Sequence, residues 1–559
     1  SISSNYLYSY LKDSQGNTWV GTREGLNLIV ENENGYTFKR YKPNIKDPTG
    51  LVHNIVLSMA EDNQGRLWIG MENGALTIYD KKTETFSNFW PNPLDPTSIG
   101  SNSIWSVYKD KMGTIWIGAR NRGINKWDQY HTIFVHHILP PSGGHKLANN
   151  DVLCMVEDEM GNLWIGTDGG GLNYLARTTN QYTHYVHDPK DSKSLSSNSV
   201  ISLELDSYGD LWIGTWEGGL NRFDKKTGMF RHYYSDPDNP KSLGSNYVFS
   251  IFEDSSRRLW VSAFYEGLDL YDRESDSFIH YKRDVSNPNA IGHNRVFTMF
   301  EDSKKNIWIG TEGAGLIHME KGKNGPVFTS YRYNPDDPSS LSSNLINAIY
   351  EDSRNNLWIG TWAGLNRFDY QTKTFKAFRK EDGLADNVVY GIIEDKEGNF
   401  WVSTNQGISK FDPVNIKVEN YNTADGLQAQ EFIRGSFLKS KSGEFFFGGV
   451  NGFNSFFPQE ILSNPNVPPV YITNFWIYND LMKPGLPNSP LHSNITETEK
   501  IVLPYTQNEF SFEFAALNYS QAFKNRYSYY LEGYDKNWRD AGTQRKASYA
   551  KVPPGEYTF

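Results

Sequence analysis

Tryptophan recurs at positions 19, 68, 116, 164, 212, 260, 308, 358 and 401, and an Asp stands six residues before every one of them. No helical periodicity interrupts this pattern. Together these observations predict an all-β fold class: seven-bladed β-propeller(s) of four-stranded blades, plus a C-terminal immunoglobulin-like β-sandwich.

Each repeat reads as four short strands. The first is an alternating run such as 246–253 (NYVFSIFE), half apolar and rich in β-branched and aromatic residues, as a half-buried strand should be. An Asp-x-x-Gly turn follows (Asp206 to Gly209, for example), because Asp suits the first position of a type I turn and Gly the last. The tryptophan strand comes next, as in Leu211-Trp212-Ile213-Gly214-Thr215. A Gly-rich turn leads to the third strand (Gly219-Leu220-Asn221-Arg222-Phe223-Asp224), and a Lys-Thr-Gly turn leads to the fourth (Met229-Phe230-Arg231-His232-Tyr233). A loop containing Asp236-Pro237 then passes to the next copy. An Asn lies fourteen residues before every tryptophan of the series, and a tenth, weaker copy centres on Phe446.

Ten copies exceed the four to eight blades that usually close a ring. The third copy lacks the Asp-Pro loop and carries Pro140-Pro141-Ser142-Gly143-Gly144 instead, and counting back seven copies from the end reaches the copy of Trp164. The expected division is therefore 1–140, three blades of an incomplete first propeller; 141–458, a complete seven-bladed propeller; and 459–559, an immunoglobulin-like module. Three blades alone would expose sheet edges, so the first ring is expected to lack earlier blades. After Phe456-Phe457-Pro458 a Pro/Asn linker (Ser463 to Pro469) leads to strand-like runs at Phe510–Phe514, Tyr527–Leu531 and Ala547–Ala550, and the module is expected to be cut short at its C-terminus.

Composition narrows function. Of 559 residues 38% are hydrophobic, the net charge is −10 and mean hydropathy is −0.61. With 16 Trp, 34 Tyr and 32 Phe the chain is too aromatic for disorder. An acidic chain without a Lys/Arg block is a poor match to phosphate backbones, so no nucleic-acid partner is expected. No apolar run reaches the roughly 18 residues of a membrane span, and no export leader is visible. Cys154 is the sole cysteine, which excludes an internal disulfide and leaves the compartment open.

The repeat motif Ser-Leu-Ser-Ser-Asn…Glu-Asp…Leu-Trp-Ile-Gly-Thr…Gly-Leu-Asn-Arg-Phe-Asp resembles that of the periplasmic sensor region of hybrid two-component systems. So do the last copy, Asp425-Gly426-Leu427-Gln428 with Phe447-Gly448-Gly449-Val450-Asn451-Gly452-Phe453, and the tail. The tail carries Tyr527-Ser528-Tyr529-Tyr530-Leu531-Glu532-Gly533-Tyr534-Asp535, Trp538, Tyr549 and Pro554-Gly555-Glu556-Tyr557, which looks like the family's triple-tyrosine module. The resemblance implies two seven-bladed propellers, an immunoglobulin-like module, a membrane helix, and cytoplasmic kinase, receiver and DNA-binding domains. It further implies a periplasmic region, anchored through a segment outside this chain, that forms a homodimer and senses an oligosaccharide derived from polysaccharide to control glycan-utilisation genes. Ten copies, with no membrane or kinase segment, depart from that pattern, so no kinase activity is expected of this chain. The alternatives are a propeller-fold polysaccharide lyase or glycosidase, which needs a unique carboxylate pair or His/Tyr cluster, and a protein-interaction scaffold.

The repeating Asp, Trp and Asn are read as structural, serving turns, packing between blades and loop bonding in turn. The histidines show no HxH or HExxH spacing, so neither metal nor other cofactor is expected. Cys154 reads as a small buried hydrophobe. The position four after each tryptophan varies within a constant frame, and it begins the turn at one face of the ring. Ligand-binding candidates drawn from it and its neighbours are Arg120, Asp168, Trp216, Glu217, Phe264, Tyr265, Glu312 and Trp362. Aromatic plates ringed by polar groups suit sugars, whose C–H faces stack while their hydroxyls need fixed partners. The bland alternative is that Trp216 and Trp362 pack on adjacent loops.

Overall fold

The computed structural model describes residues 1–32, 35–43, 50–92, 98–130, 134–139, 146–323, 325–462, 464–465, 467–520 and 522–559. The Pro140–Gly144 segment, part of the Ser463–Pro469 linker and two of the Asp-Pro loops lie outside them. Among the described residues the regular elements are strands and five three-residue 3-10 turns, so the protein is all-β. The chain forms two compact units, 1–131 with 462–559, and 132–461.

In the 132–461 unit the described residues make seven antiparallel four-stranded sheets, six with strands in sequence order. Their first strands are Val152–Glu157, Val200–Leu205, Val248–Glu253, Val296–Glu301, Ile346–Glu351, Val389–Glu394 and Phe432–Lys439. Each neighbours the next, and Phe432–Lys439 neighbours Val152–Glu157, so these strands form a closed cycle. The core lies between sheets: Trp212 of one sheet packs with Val248, Leu259, Val261 and Tyr271 of the following one. A fully buried tryptophan removes about 200 Å² from water, roughly 5 kcal/mol of transfer free energy, and Trp212, Trp260, Trp308, Trp358 and Trp401 are each at most 1% exposed.

The seventh sheet differs. Phe432–Lys439, Phe445–Gly449 and Gly452–Phe456 take their fourth strand from Val135–His137, which pairs antiparallel with Gly452–Phe456. The last repeat has no fourth strand of its own before Pro458, and the earlier segment covers the edge it would leave open. This strand belongs to the 132–461 unit, whereas the sequence assigns it to the first segment, and the expected 140/141 boundary falls outside the described residues.

In the other unit, sheets over Leu7–Tyr41 and Val56–Phe89 have four strands, and a third, over Ile104–Trp127, has three. The tail contributes a sheet of Asp480–Met482, Val470–Ile477, Phe510–Ala516 and Lys546–Tyr549, and a hairpin of Tyr527–Tyr529 with Arg539–Gly542. Phe475, Phe510, Phe512, Phe514, Tyr527 and Tyr549 fill the space between them. Buried Tyr549 donates its hydroxyl to Asp535 Oδ2 at 2.8 Å, which also accepts from Leu531 N. Tyr519 sets its ring edge-on to Trp116 of the three-stranded sheet at 5.7 Å, and its carbonyl accepts from Lys126 Nζ.

Candidate functional site

First strands from six of the seven sheets line a cavity of about 710 Å³ in the 132–461 unit. The second residue of six of these first strands faces this space from one end. Leu153, Ile201, Phe249, Phe297, Asn347 and Ile433 occupy that position and line the cavity, with Trp216 and Asp168 beside them. In sequence this position lies three residues after the repeating Asn (Asn246 to Phe249, Asn294 to Phe297, Asn344 to Asn347), a frame the sequence reading did not follow.

A continuous aromatic array spans three of the sheets at this end. Trp216 contacts Tyr247 at 4.9 Å and Phe249 at 5.7 Å, both edge-on. Phe249 stacks on Phe264 at 4.1 Å, and Phe264 lies near-parallel to Phe297 at 5.6 Å. Trp216 is 40% exposed while Phe264 is buried, so the first offers a face and the second a support. Polar groups edge the array. Tyr247 donates its hydroxyl to Glu217 Oε1 at 3.1 Å, and Arg295 pairs with Glu312 at 3.0 Å while lying over the Tyr265 ring at 4.9 Å.

Of the candidates read from sequence, Trp216, Glu217, Phe264, Tyr265 and Glu312 fall in this one assembly, and exposed Asp168 lines the same cavity. Trp362 is 51% exposed and is not in the cavity wall. Arg120 belongs to the other unit, over the Trp105 ring at 5.3 Å and 3.8 Å from Glu72. The frame four after Trp marks one face in every copy, but only some copies turn their side chain into the cavity.

Two ionisable groups sit in the cavity wall. Glu204 accepts from Glu253 N at 3.2 Å, and burial pushes its carboxyl up to about 8. Burial lowers the guanidinium of Arg434 to about 10, still cationic at neutral pH. Cys154 also lines the cavity; its thiol is pushed up by burial and donates to Val200 O at 3.6 Å. Among the described residues no group of three or more His, Cys, Asp and Glu is placed to hold a metal ion, and no helix is long and apolar enough to cross a membrane.

Comparison with known proteins agrees with this architecture. The family model "Two component regulator propeller" matches nine segments: 1–24, 50–73, 98–121, 146–169, 194–217, 242–265, 290–313, 340–363 and 383–406. The Y_Y_Y domain model matches 518–559. The tenth copy lies outside the matched segments and supplies three strands of the sheet that Val135–His137 completes. Histidine kinase P4 of Formosa agariphila is 32% identical over 148 residues, 26% of this chain and only 11% of that protein's length. Among solved structures, the extracellular domain of a protein described as hybrid two component system BT3049 from B. thetaiotaomicron is similar. It shares 27% identity with a TM-score of 0.71, over 99% of this chain and 70% of that one. The chain is thus built of two component regulator propeller repeats followed by a Y_Y_Y domain, like the extracellular part of a hybrid two-component system.

Proposed function

We propose that this chain is the ligand-sensing, periplasmic region of a hybrid two-component sensor kinase, and that it detects polysaccharide-derived oligosaccharides to control glycan-utilisation genes. The observation that carries the reading is the cavity of about 710 Å³ walled by Trp216, Phe249 and Phe297, with polar groups at its edge. That volume lies within the range of small-molecule sites, and few polar groups around an apolar wall fix a ligand's orientation. The exposed indole of Trp216 suits the C–H faces of sugar rings.

In this reading residues 132–461 are a seven-bladed propeller, closed where Val135–His137 completes the last blade. The tail acts as an immunoglobulin-like module that transmits occupancy to a membrane segment, within a homodimer. The chain itself needs no cofactor and catalyses no reaction. The kinase relative and the two-component extracellular domain support the assignment to signalling.

A thermal-shift screen across an oligosaccharide library tests the proposal, because a ligand bound only by the folded state raises the melting temperature. A shift of a few degrees with at least one oligosaccharide is expected, lost in Trp216→Ala and retained in Trp362→Ala. No shift across the library, with new reducing ends or unsaturated products instead, would favour a polysaccharide-cleaving enzyme.

A further inference from the structure

The strand Phe432–Lys439 carries two more residues than its six counterparts. From Val200 to Leu203 the chain advances three residues while its partner strand passes from Thr215 to Ile213. From Phe432 to Phe437 it advances five while the partner covers the same two steps, Gly449 to Phe447. The surplus forms a bulge at Ile433-Arg434-Gly435, with Gly435 at φ +77° and open space where a side chain would stand. All three residues line the cavity. Bulges re-aim side chains, and their cost in lost ladder bonds has to be offset elsewhere.

What this bulge presents is Arg434. Its guanidinium lies 3.5 Å from the centre of the Phe297 ring and 5.8 Å from that of Phe249. Stacking covers a face of the group and leaves its in-plane N–H donors uncommitted. No hydrogen bond or ion pair to it occurs among the described residues. The charge of Glu312 reaches it through space, but that carboxylate is held by Arg295 at 3.0 Å. In the same wall Asn347 is 2% exposed; its amide donates to Val389 O at 3.0 Å while its Oδ1 has no partner. The cavity thus combines a stacked cation lacking an anion, an acceptor lacking a donor, and aromatic plates.

We propose that Arg434 is an anion-recognition residue, and that the cavity takes an acidic saccharide whose carboxylate or sulfate meets the guanidinium while a hydroxyl donates to Asn347. The proposal rests on the saccharide-sensing reading above and adds the charge of the ligand. A planar guanidinium binds carboxylate and sulfate through paired hydrogen bonds that a neutral sugar cannot replace. The chain's net negative charge does not oppose this, since separated charges are screened beyond about 8 Å at physiological salt.

Calorimetric titration of the whole chain tests the idea with four saccharides and two free anions. The charged saccharides are trigalacturonate and N-acetylgalactosamine 6-sulfate; their neutral counterparts are the fully esterified trigalacturonate methyl ester and N-acetylgalactosamine; sodium acetate and sodium sulfate are the free anions. At least one charged saccharide is expected to bind about tenfold or more tightly than its neutral counterpart, and Arg434→Gln should erase that preference. Arg434→Met should melt no lower than the parent chain, because the guanidinium serves the ligand and not the fold. Equal affinity for charged and neutral sugars, a preference that survives Arg434→Gln, or a several-degree loss of melting temperature in Arg434→Met would overturn the proposal and leave saccharide sensing intact. Free anions binding as tightly as the saccharides would overturn it as well, and no saccharide binding at all would overturn both.

Discussion

The six-residue interval between Asp and Trp has a direct cause in side-chain geometry. The Asp turn and the tryptophan strand fold back so that indole Nε1 donates to Asp Oδ2: Trp212 to Asp206 at 2.8 Å, Trp308 to Asp302 at 2.9 Å, Trp401 to Asp395 at 3.1 Å. The other oxygen accepts backbone N–H groups of the turn, from Lys304 and Asn306 for Asp302. Trp164 breaks the rule. Its Nε1 has no partner, and Asp158 Oδ2 accepts from Tyr174 and Asn162 instead. Asp302→Ala should therefore cost about 2 kcal/mol or more by stranding a buried indole donor, read as a lowered melting temperature, and Asp158→Ala should not add that particular loss. Burial alone would raise the carboxyls of Asp13 and Asp302, but hydrogen bonds more than reverse this, from Lys81, Trp19 and Asn17 for Asp13, which falls to about 2. Such groups stabilise the fold above the ordinary carboxylate range and lose that contribution as pH falls toward 2. Glu204 has the opposite sign: its bound proton stabilises the folded chain below about pH 4.5, and the contribution drains away as pH rises through about 8. Glu204→Gln should melt with the parent near pH 5 and several degrees above it near pH 9.

Glycine in the Trp-Ile-Gly run sets how closely neighbouring sheets approach. A Cβ on Gly214 would meet Ser202 Oγ at 2.2 Å and the Val248 carbonyl of the next sheet at 2.6 Å. Gly214→Ala is expected to cost about 2–3 kcal/mol through overpacking. Gly209, at φ +85° with open space around it, should cost only about 1 kcal/mol on replacement by Ala; denaturant midpoints of the two variants separate the causes. The repeating Asn ties loop to strand: Asn246 Oδ1 accepts from Ser235 N at 2.8 Å and its carbonyl from Gly219 N at 2.9 Å. In the last repeat Gln430 takes the second of these roles, its carbonyl accepting from Gly407 N at 2.7 Å. Gln430 stands sixteen residues before Phe446, where Asn246 stands fourteen before Trp260. The bulge that presents Arg434 was thus legible as a spacing error, but only once the structure showed which residue replaces the Asn.

Across the 132–461 unit, closure depends on a short strand far away in the chain. Phe134, just before it, is buried and meets Phe456 at 4.8 Å and Tyr421 at 5.4 Å, both edge-on. Phe134→Ala should destabilise this unit by about 3–5 kcal/mol, seen as an earlier unfolding transition in calorimetry. Local order was written in the chain itself: strand, Asp turn, tryptophan strand and their repetition follow from alternation and turn chemistry, which act within a dozen residues. The strand at Val135–His137 left no such mark, being three residues long and paired with a segment more than 300 residues later. The site divides the same way. The frame four after Trp pointed to Trp216, Phe264 and Glu312, because a repeat places equivalent positions on one face. Which copies look into the cavity, and that Arg434 is thrust there against Phe297, depend on ring closure, since only then do first strands from distant repeats face one shared space.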